Sequence, residues 1–208
     1  MENENRRIAI KQMLLYLGGG LVLNSCTNEL SKDSQTLTRK PLDAIHVKAN
    51  EISKPADGII AGAPKIRSEH TNGQFCCQEI TVLPKHAGPP PHLHKDLDEI
   101  MFVIEGTVHV MVGESVTEIN AGDYHLRPHG IVHTFWNSSN STARFLDMYP
   151  NQDFVSFFEE FVRIDNTLKA KGLTQESDEG KNLVDKLMEQ FGLEMFPDQF
   201  PPILESMD

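Results

Sequence analysis

The chain of 208 residues carries 30 acidic against 19 basic residues, a formal charge of -11 at pH 7, and 39% hydrophobic residues. Such a balance argues against a general basic surface for nucleic acid, which needs clustered Lys and Arg, while leaving enough apolar material for one domain core. Three cysteines, Cys26, Cys76 and Cys77, make no disulfide framework, because neighbours in sequence seldom bond each other.

Arg6 and Arg7 precede an apolar stretch from Met13 to Leu23 that runs into Asn24-Ser25-Cys26, the layout of an export signal. The stretch is interrupted by Gly18, Gly19 and Gly20 and falls short of the roughly 20 residues a spanning helix needs. Arg6-Arg7-Ile8-Ala9-Ile10-Lys11 resembles a twin-arginine export signal, and Leu23-Asn24-Ser25-Cys26 resembles the bacterial lipoprotein cleavage box. The second resemblance implies a lipidated Cys26 and a lipid-anchored protein on the periplasmic side or surface of a bacterial cell envelope. Residues 1–25 are therefore expected as a signal peptide and residues 26–44, rich in Ser, Thr, Asn, Asp and Lys, as a flexible tether.

Strand signals fill residues 45–150. Lys65 to Thr71, Asn72-Gly73 and Gln74 to Leu83 read as a hairpin, because Asn-Gly readily takes the positive φ angles of a type I′ turn. His86 to Pro91 reads as a loop stiffened by Pro89, Pro90 and Pro91. Ile100 to Ile104, Thr107 to Val112, Val116 to Asn120, Tyr124 to Arg127, His133 to Trp136 and Ala143 to Tyr149 follow as short strands divided by turn signals. This spacing predicts an all-β barrel or sandwich.

Helical periodicity is confined to the C-terminal extension, residues 151–208. Phe154, Phe157, Phe158, Phe161 and Val162 form an apolar stripe behind Asp153, a candidate N-cap, and the stripe is expected to pack on the barrel. A second helix is predicted from about Ser177 to Phe191, with Gly192 at its C-terminal cap.

The chemistry gathers around His92-Leu93-His94. Residues two apart on a strand face the same way, so the two imidazoles can hold one ion from a single extended segment. Glu99 opens the next strand, and Pro128, Gly130 and His133 make a second segment whose turn aims His133 at the same point. Three imidazoles and a carboxylate suit one divalent transition metal, Fe, Mn, Ni, Cu or Zn, with room left for water or substrate.

At these residues the chain resembles the cupin superfamily. The two motifs stand as Gly88-x3-His92-x-His94-x4-Glu99-x6-Gly106 and Gly122-x5-Pro128-x-Gly130-x2-His133-x3-Asn137, separated by 15 residues. The second matches the family pattern throughout; the first has His86 where a glycine is usual. Phe157-Phe158-Glu159-Glu160 and Phe191-Gly192-Leu193-Glu194 ahead of Pro201-Pro202 look like the tail of quercetin-dioxygenase-like cupins. The resemblance implies a jelly-roll β-barrel with two C-terminal α-helices, a mononuclear metal held by His92, His94, Glu99 and His133, and a homodimer.

Met101, Val103 and Phe135 share parity with Glu99 or His133 and are expected to wall a substrate pocket. Trp136 has the opposite parity and is expected against a C-terminal helix or a partner subunit. His125 and His109 read as solvent-facing, and of Cys76 and Cys77 one is expected in the core and one at a surface or interface. An apolar pocket around an open-sided metal leads to a metal-dependent oxygenase acting on a small aromatic or enolic substrate, similar to quercetin 2,3-dioxygenases, with Glu99 as base. A non-catalytic ligand- or metal-binding lipoprotein of the cell envelope, and cupin isomerase or decarboxylase chemistry, fit the same residues.

Overall fold

The computed structural model describes residues 41–49 and 60–199; the signal and lipidation motifs at residues 1–26 lie outside the described residues. Among the described residues, eleven strands form two antiparallel sheets. One runs β1 (Ile60–Ile66), β2 (Phe75–Val82), β10 (Ala143–Pro150), β5 (Glu99–Glu105) and β8 (Tyr124–Arg127). The other runs β11 (Leu193–Met195), β4 (His92–His94), β9 (His133–Asn137), β6 (Thr107–Val112) and β7 (Ser115–Asn120), with β3 (His86–Ala87) also pairing β9. Together they make the jelly-roll barrel, and two helices follow, α1 (Phe154–Ala170) and α2 (Asp178–Phe191).

Burial alternates along the whole of β10 and along β5 up to its last two residues, as strands with one face on a core require. Ile80, Val82, Met101, Val103, Val108, Val110, Phe135 and Phe145 fill the barrel interior. Asn137 pins one end of it: fully buried, it donates from Nδ2 to the carbonyls of Val82, Leu83 and Ser141 and accepts from the Ser139 backbone and hydroxyl. Each of its polar atoms is thereby satisfied, as burial demands.

The second core lies between barrel and helices. Phe154, Val155, Phe157, Ile164 and Leu168 of α1 pack with Leu187 of α2 and with Cys76, Leu97 and Tyr149 of the barrel. The predicted stripe is displaced: Phe158 and Val162 stay exposed, at 38% and 57%, and the buried face continues through Ile164 and Leu168 instead. Helix α2 ends at the predicted cap, Gly192, and starts one residue after Ser177, which serves as its N-cap. Ser177 Oγ accepts from the Gly180 N–H at 3.1 Å, and Gly192 takes the left-handed conformation at φ 63°.

Several expectations change in the details. The first hairpin strand stops at Ile66, because residues 68–71 coil into a 3-10 turn before Asn72 and Gly73 take their positive φ angles. The proline loop opens on a short strand, since β3 finds a partner on β9, and it leads into the expected extended segment, β4. Cys76 and Cys77 are both buried, at 0% and 3%, so neither occupies a surface. Trp136 is fully buried and stacks on the half-buried His109, with ring centroids 5.6 Å apart.

Candidate metal centre

Strand pairing explains why distant histidines meet. His92 on β4 pairs with His133 on β9, and His94 lies two residues along the same face. Strand β4 is gripped on both sides, because Leu193–Met195 pair with His94–His92 and the Gly130 N–H donates to the His94 carbonyl at 2.7 Å. Glu99 reaches the same point from the facing sheet, where β5 pairs with β8. The four residues are buried, and one donor atom from each lies within 4.8 Å of the others. Metal–nitrogen bonds of about 2.1 Å put opposed ligands about 4.2 Å apart, so an ion would draw this set together by only some tenths of an ångström.

The hydrogen bonds orient the rings for this use. His92 Nδ1 meets the Pro90 carbonyl at 2.8 Å and His133 Nδ1 meets the Ile131 carbonyl at 3.0 Å. Carbonyls only accept, so both neutral rings carry their proton on Nδ1 and present the Nε2 lone pair to the cluster. For His133 that lone pair faces Glu99 Oε2 at 2.9 Å, acceptor against acceptor. Neither nitrogen of His94 has a hydrogen-bond partner among the described residues, and its ring is held edge-on to Phe154 at 4.6 Å. One proton resolves one of these clashes, whereas one divalent cation resolves all of them, so the donor set fits the metal the sequence predicts.

Electrostatics agree. Burial and the charge of His133 push His92 down to about 3, keeping it neutral and available. Burial pushes the Glu99 carboxyl up, but the Arg127 charge prevails, with the His133 and His94 rings beside it, and holds it well below the usual range.

A cavity of about 980 Å3 opens onto His92, Glu99 and Phe135, and is walled on the helix side by Phe154, Phe157 and Phe161. Of the expected wall, only Phe135 takes part. Met101 and Val103 are fully buried and pack inside the barrel below it, because strand parity fixes the face a side chain takes but not its depth. The sequence reading missed a buried polar chain in the same wall. Arg127 bonds Asp147 and stands 3.5 Å from Glu99; the Tyr149 hydroxyl donates to Asp147 at 3.1 Å and accepts from Gln78 at 2.7 Å. The available signal was a charged residue at an inward position of an otherwise apolar alternating strand, Asp147 between Phe145 and Tyr149. His125 also points inward beside Arg127 rather than to solvent: its Nδ1 is buried, and burial and the Arg127 charge lower its pKa. His129 stays outside, bonded to Asp98.

Residues 79–149 match the family described as the cupin domain, spanning both motifs and all four candidate ligands. The fold is that of a cupin. Over 68 residues the chain is 35% identical to a probable germin-like protein of Arabidopsis thaliana, subfamily 2 member 5, a stretch covering 30% of this chain and 32% of that one. The match thus spans about a third of the curated relative. Among solved structures, a conserved protein with a double-stranded β-helix domain from Klebsiella pneumoniae aligns at TM-score 0.46 and 19% identity, covering 52% of this chain and 91% of that one. The polyketide cyclase RemF of Streptomyces resistomycificus aligns at TM-score 0.43 and 21% identity, covering 57% and 94%.

Proposed function

We propose that this cupin is a metal-dependent oxygenase acting on a small aromatic or enolic substrate, of the quercetin 2,3-dioxygenase type. The observation that carries the reading is the phenylalanine-walled cavity that ends on His92 and Glu99. Its volume suits an aromatic molecule of two or three rings, and His92, Glu99, Arg127 and Asp147 give it a polar end at the candidate ligands. His92, His94, Glu99 and His133 would hold Fe, Mn, Ni, Cu or Zn. When bound, such an ion supplies Lewis acidity and, where redox-active, reactivity toward dioxygen.

The chain's own residues bind and orient. The phenylalanines of α1 exclude water and stack on the substrate body. Glu99, kept ionised by Arg127, is the proton acceptor nearest to a hydroxyl presented at the cluster. Oxygen uptake with flavonols and other enediols, over protein reconstituted with each of the five metals, tests the reading; no uptake across that panel refutes it. Asp147 favours a second reading, proton-transfer chemistry of the isomerase or decarboxylase kind, because its pKa of about 7 suits acid–base work near neutrality. Substrate conversion under nitrogen at an undiminished rate would select it.

We also propose a bacterial-envelope location through a lipidated Cys26, on the sequence motif alone. Loss of the protein from the membrane fraction in Cys26→Ala is the expected result, and unchanged partitioning and mass would refute it. A homodimer is proposed through the outer face of β5 and β8, where Ile104, Tyr124 and Leu126 are 40%, 68% and 53% exposed. Leu126→Asp should then halve the mass seen in light scattering, and a wild-type monomer would dismiss the idea.

A further inference from the structure

Arg127 is an arginine in a place that charge neutralisation alone does not explain. It is 1% exposed, lies on β8 opposite Glu99, and forms part of the cavity wall next to the metal ligands. A guanidinium offers five N–H donors in a rigid plane. Here Nη2 bonds Asp147 Oδ1, Nη1 stands 3.5 Å from Glu99 Oε2, and Nε has no acceptor among the described residues. One side of the group faces the Phe135 ring, 5.7 Å from the ring centroid. A buried cationic donor left without a partner is costly, and one in a cavity wall beside the candidate metal ligands calls for an explanation.

Charge points to the kind of acceptor. The ionisable groups at this end of the cavity are Arg127, Glu99, Asp147 and the ligand histidines. With a divalent ion in place they total at least one positive charge even when both carboxyls are ionised. An anionic ligand offsets that surplus, and a neutral one leaves it buried.

We propose that Arg127 is the substrate-binding residue of this cavity that receives an oxyanion, a phenolate or enolate oxygen carried on an aromatic body, while the Asp147–Tyr149–Gln78 chain holds its guanidinium plane toward the metal ligands. The assignment rests on the cavity being the substrate site, but it does not require that the substrate react with oxygen. Asp147 is in this scheme a positioning residue: it fixes Nη2 and with it the plane of the guanidinium. The phenylalanines supply affinity without regard to charge, and Arg127 supplies the discrimination.

The test is equilibrium binding of 3-hydroxyflavone and 3-methoxyflavone to the zinc-loaded protein, in which no redox turnover competes. Wild type should prefer the hydroxy compound. The double variant Arg127→Gln/Asp147→Asn removes the guanidinium together with the carboxyl it bonds, and the zinc remains as the counter-charge of Glu99. Elemental analysis should show its zinc content unchanged. Its preference for the hydroxy compound should fall by at least about tenfold, equivalent to about 1.4 kcal/mol. Arg127→Lys, which keeps the charge but lacks the planar fork, should lose about fivefold and decides the matter if the double variant does not fold. A wild type without preference, or either variant as selective as wild type, overturns the proposal. Absence of oxygen uptake together with an intact Arg127-dependent preference would sink the oxygenase reading and leave this one standing.

Discussion

Asp147 is a carboxyl held between an arginine and another carboxylate, and the stability of the whole barrel should report its proton. Burial lifts its pKa from 3.8 to about 7, against the pull of Arg127 and with the push of Glu99. The unfolded chain gives up this proton near the ordinary value. Between about pH 4 and pH 7 the folded protein therefore holds a proton that the unfolded chain lacks, and stability falls as pH rises across that window. At about 1.4 kcal/mol per pH unit, the interval between the two values is worth on the order of 4 kcal/mol. His92 slopes the opposite way: lowered to about 3 in the fold, it binds fewer protons there than when unfolded and adds stability as pH rises toward its ordinary 6.5. Comparing wild type with Asp147→Asn cancels the histidines, and in the variant Arg127 keeps Glu99 as its counter-charge. Urea unfolding of the metal-free proteins from pH 5 to pH 8 should show wild type losing about 3 kcal/mol relative to the variant, nearly all of it below pH 7. Parallel stability curves for the two proteins would refute the assignment of that proton to Asp147.

Loading the cluster should stabilise the fold by mass action. At free metal one hundred times the dissociation constant the gain is about 2.7 kcal/mol, or roughly 5–11 °C in Tm for a chain of this size. His92→Ala/His94→Ala should abolish both the shift and the bound metal in elemental analysis, and equal metal content in the two proteins would remove the site. Gly88→Ala should lower Tm, because the new Cβ would lie 2.6 Å from the Phe135 carbonyl and 2.7 Å from its ring. Overpacking of this kind costs about 1–3 kcal/mol; a variant that melts with wild type would mean that Phe135 yields freely into the cavity.

What the sequence made legible was local. His92 and His94 two apart, Ser177 and Gly192 at the ends of an apolar period, and strands bounded by glycines all follow from backbone geometry within a few residues. Pairings between distant strands were not legible. Leu193-Glu194-Met195 is too short to show a period and is a strand only because β4 offers it an open edge. The 3-10 turn at residues 68–71 is likewise stabilised by its own short-range bonds, among them Arg67 N–H to His70 Nδ1 at 3.1 Å, rather than by any apolar pattern. Met101 and Val103 show the limit on pocket prediction, since their inward parity was readable and their depth was not. Arg127 and Asp147 sit 20 residues apart and meet only because β8 and β10 flank the same strand, β5.

The ligand cluster is divided between two sheets that are stiffened by different means. The histidine side is fixed by backbone: β11, β9 and the Gly130 loop all bond β4, and two carbonyls set the tautomers of His92 and His133. The glutamate side is fixed by charge, through Arg127 and the Asp147–Tyr149–Gln78 chain. Backbone bonds hold a ring at one angle whatever the pH or the occupancy of the site. A buried charge network instead shifts whenever one member gains or loses a charge. An ion or an anionic ligand arriving at the cluster should therefore be felt on the Glu99 sheet, along the strand pairs β5–β8 and β5–β10, while the histidine strands stay in place. That asymmetry places the adjustable half of the centre on the wall that also faces the substrate cavity.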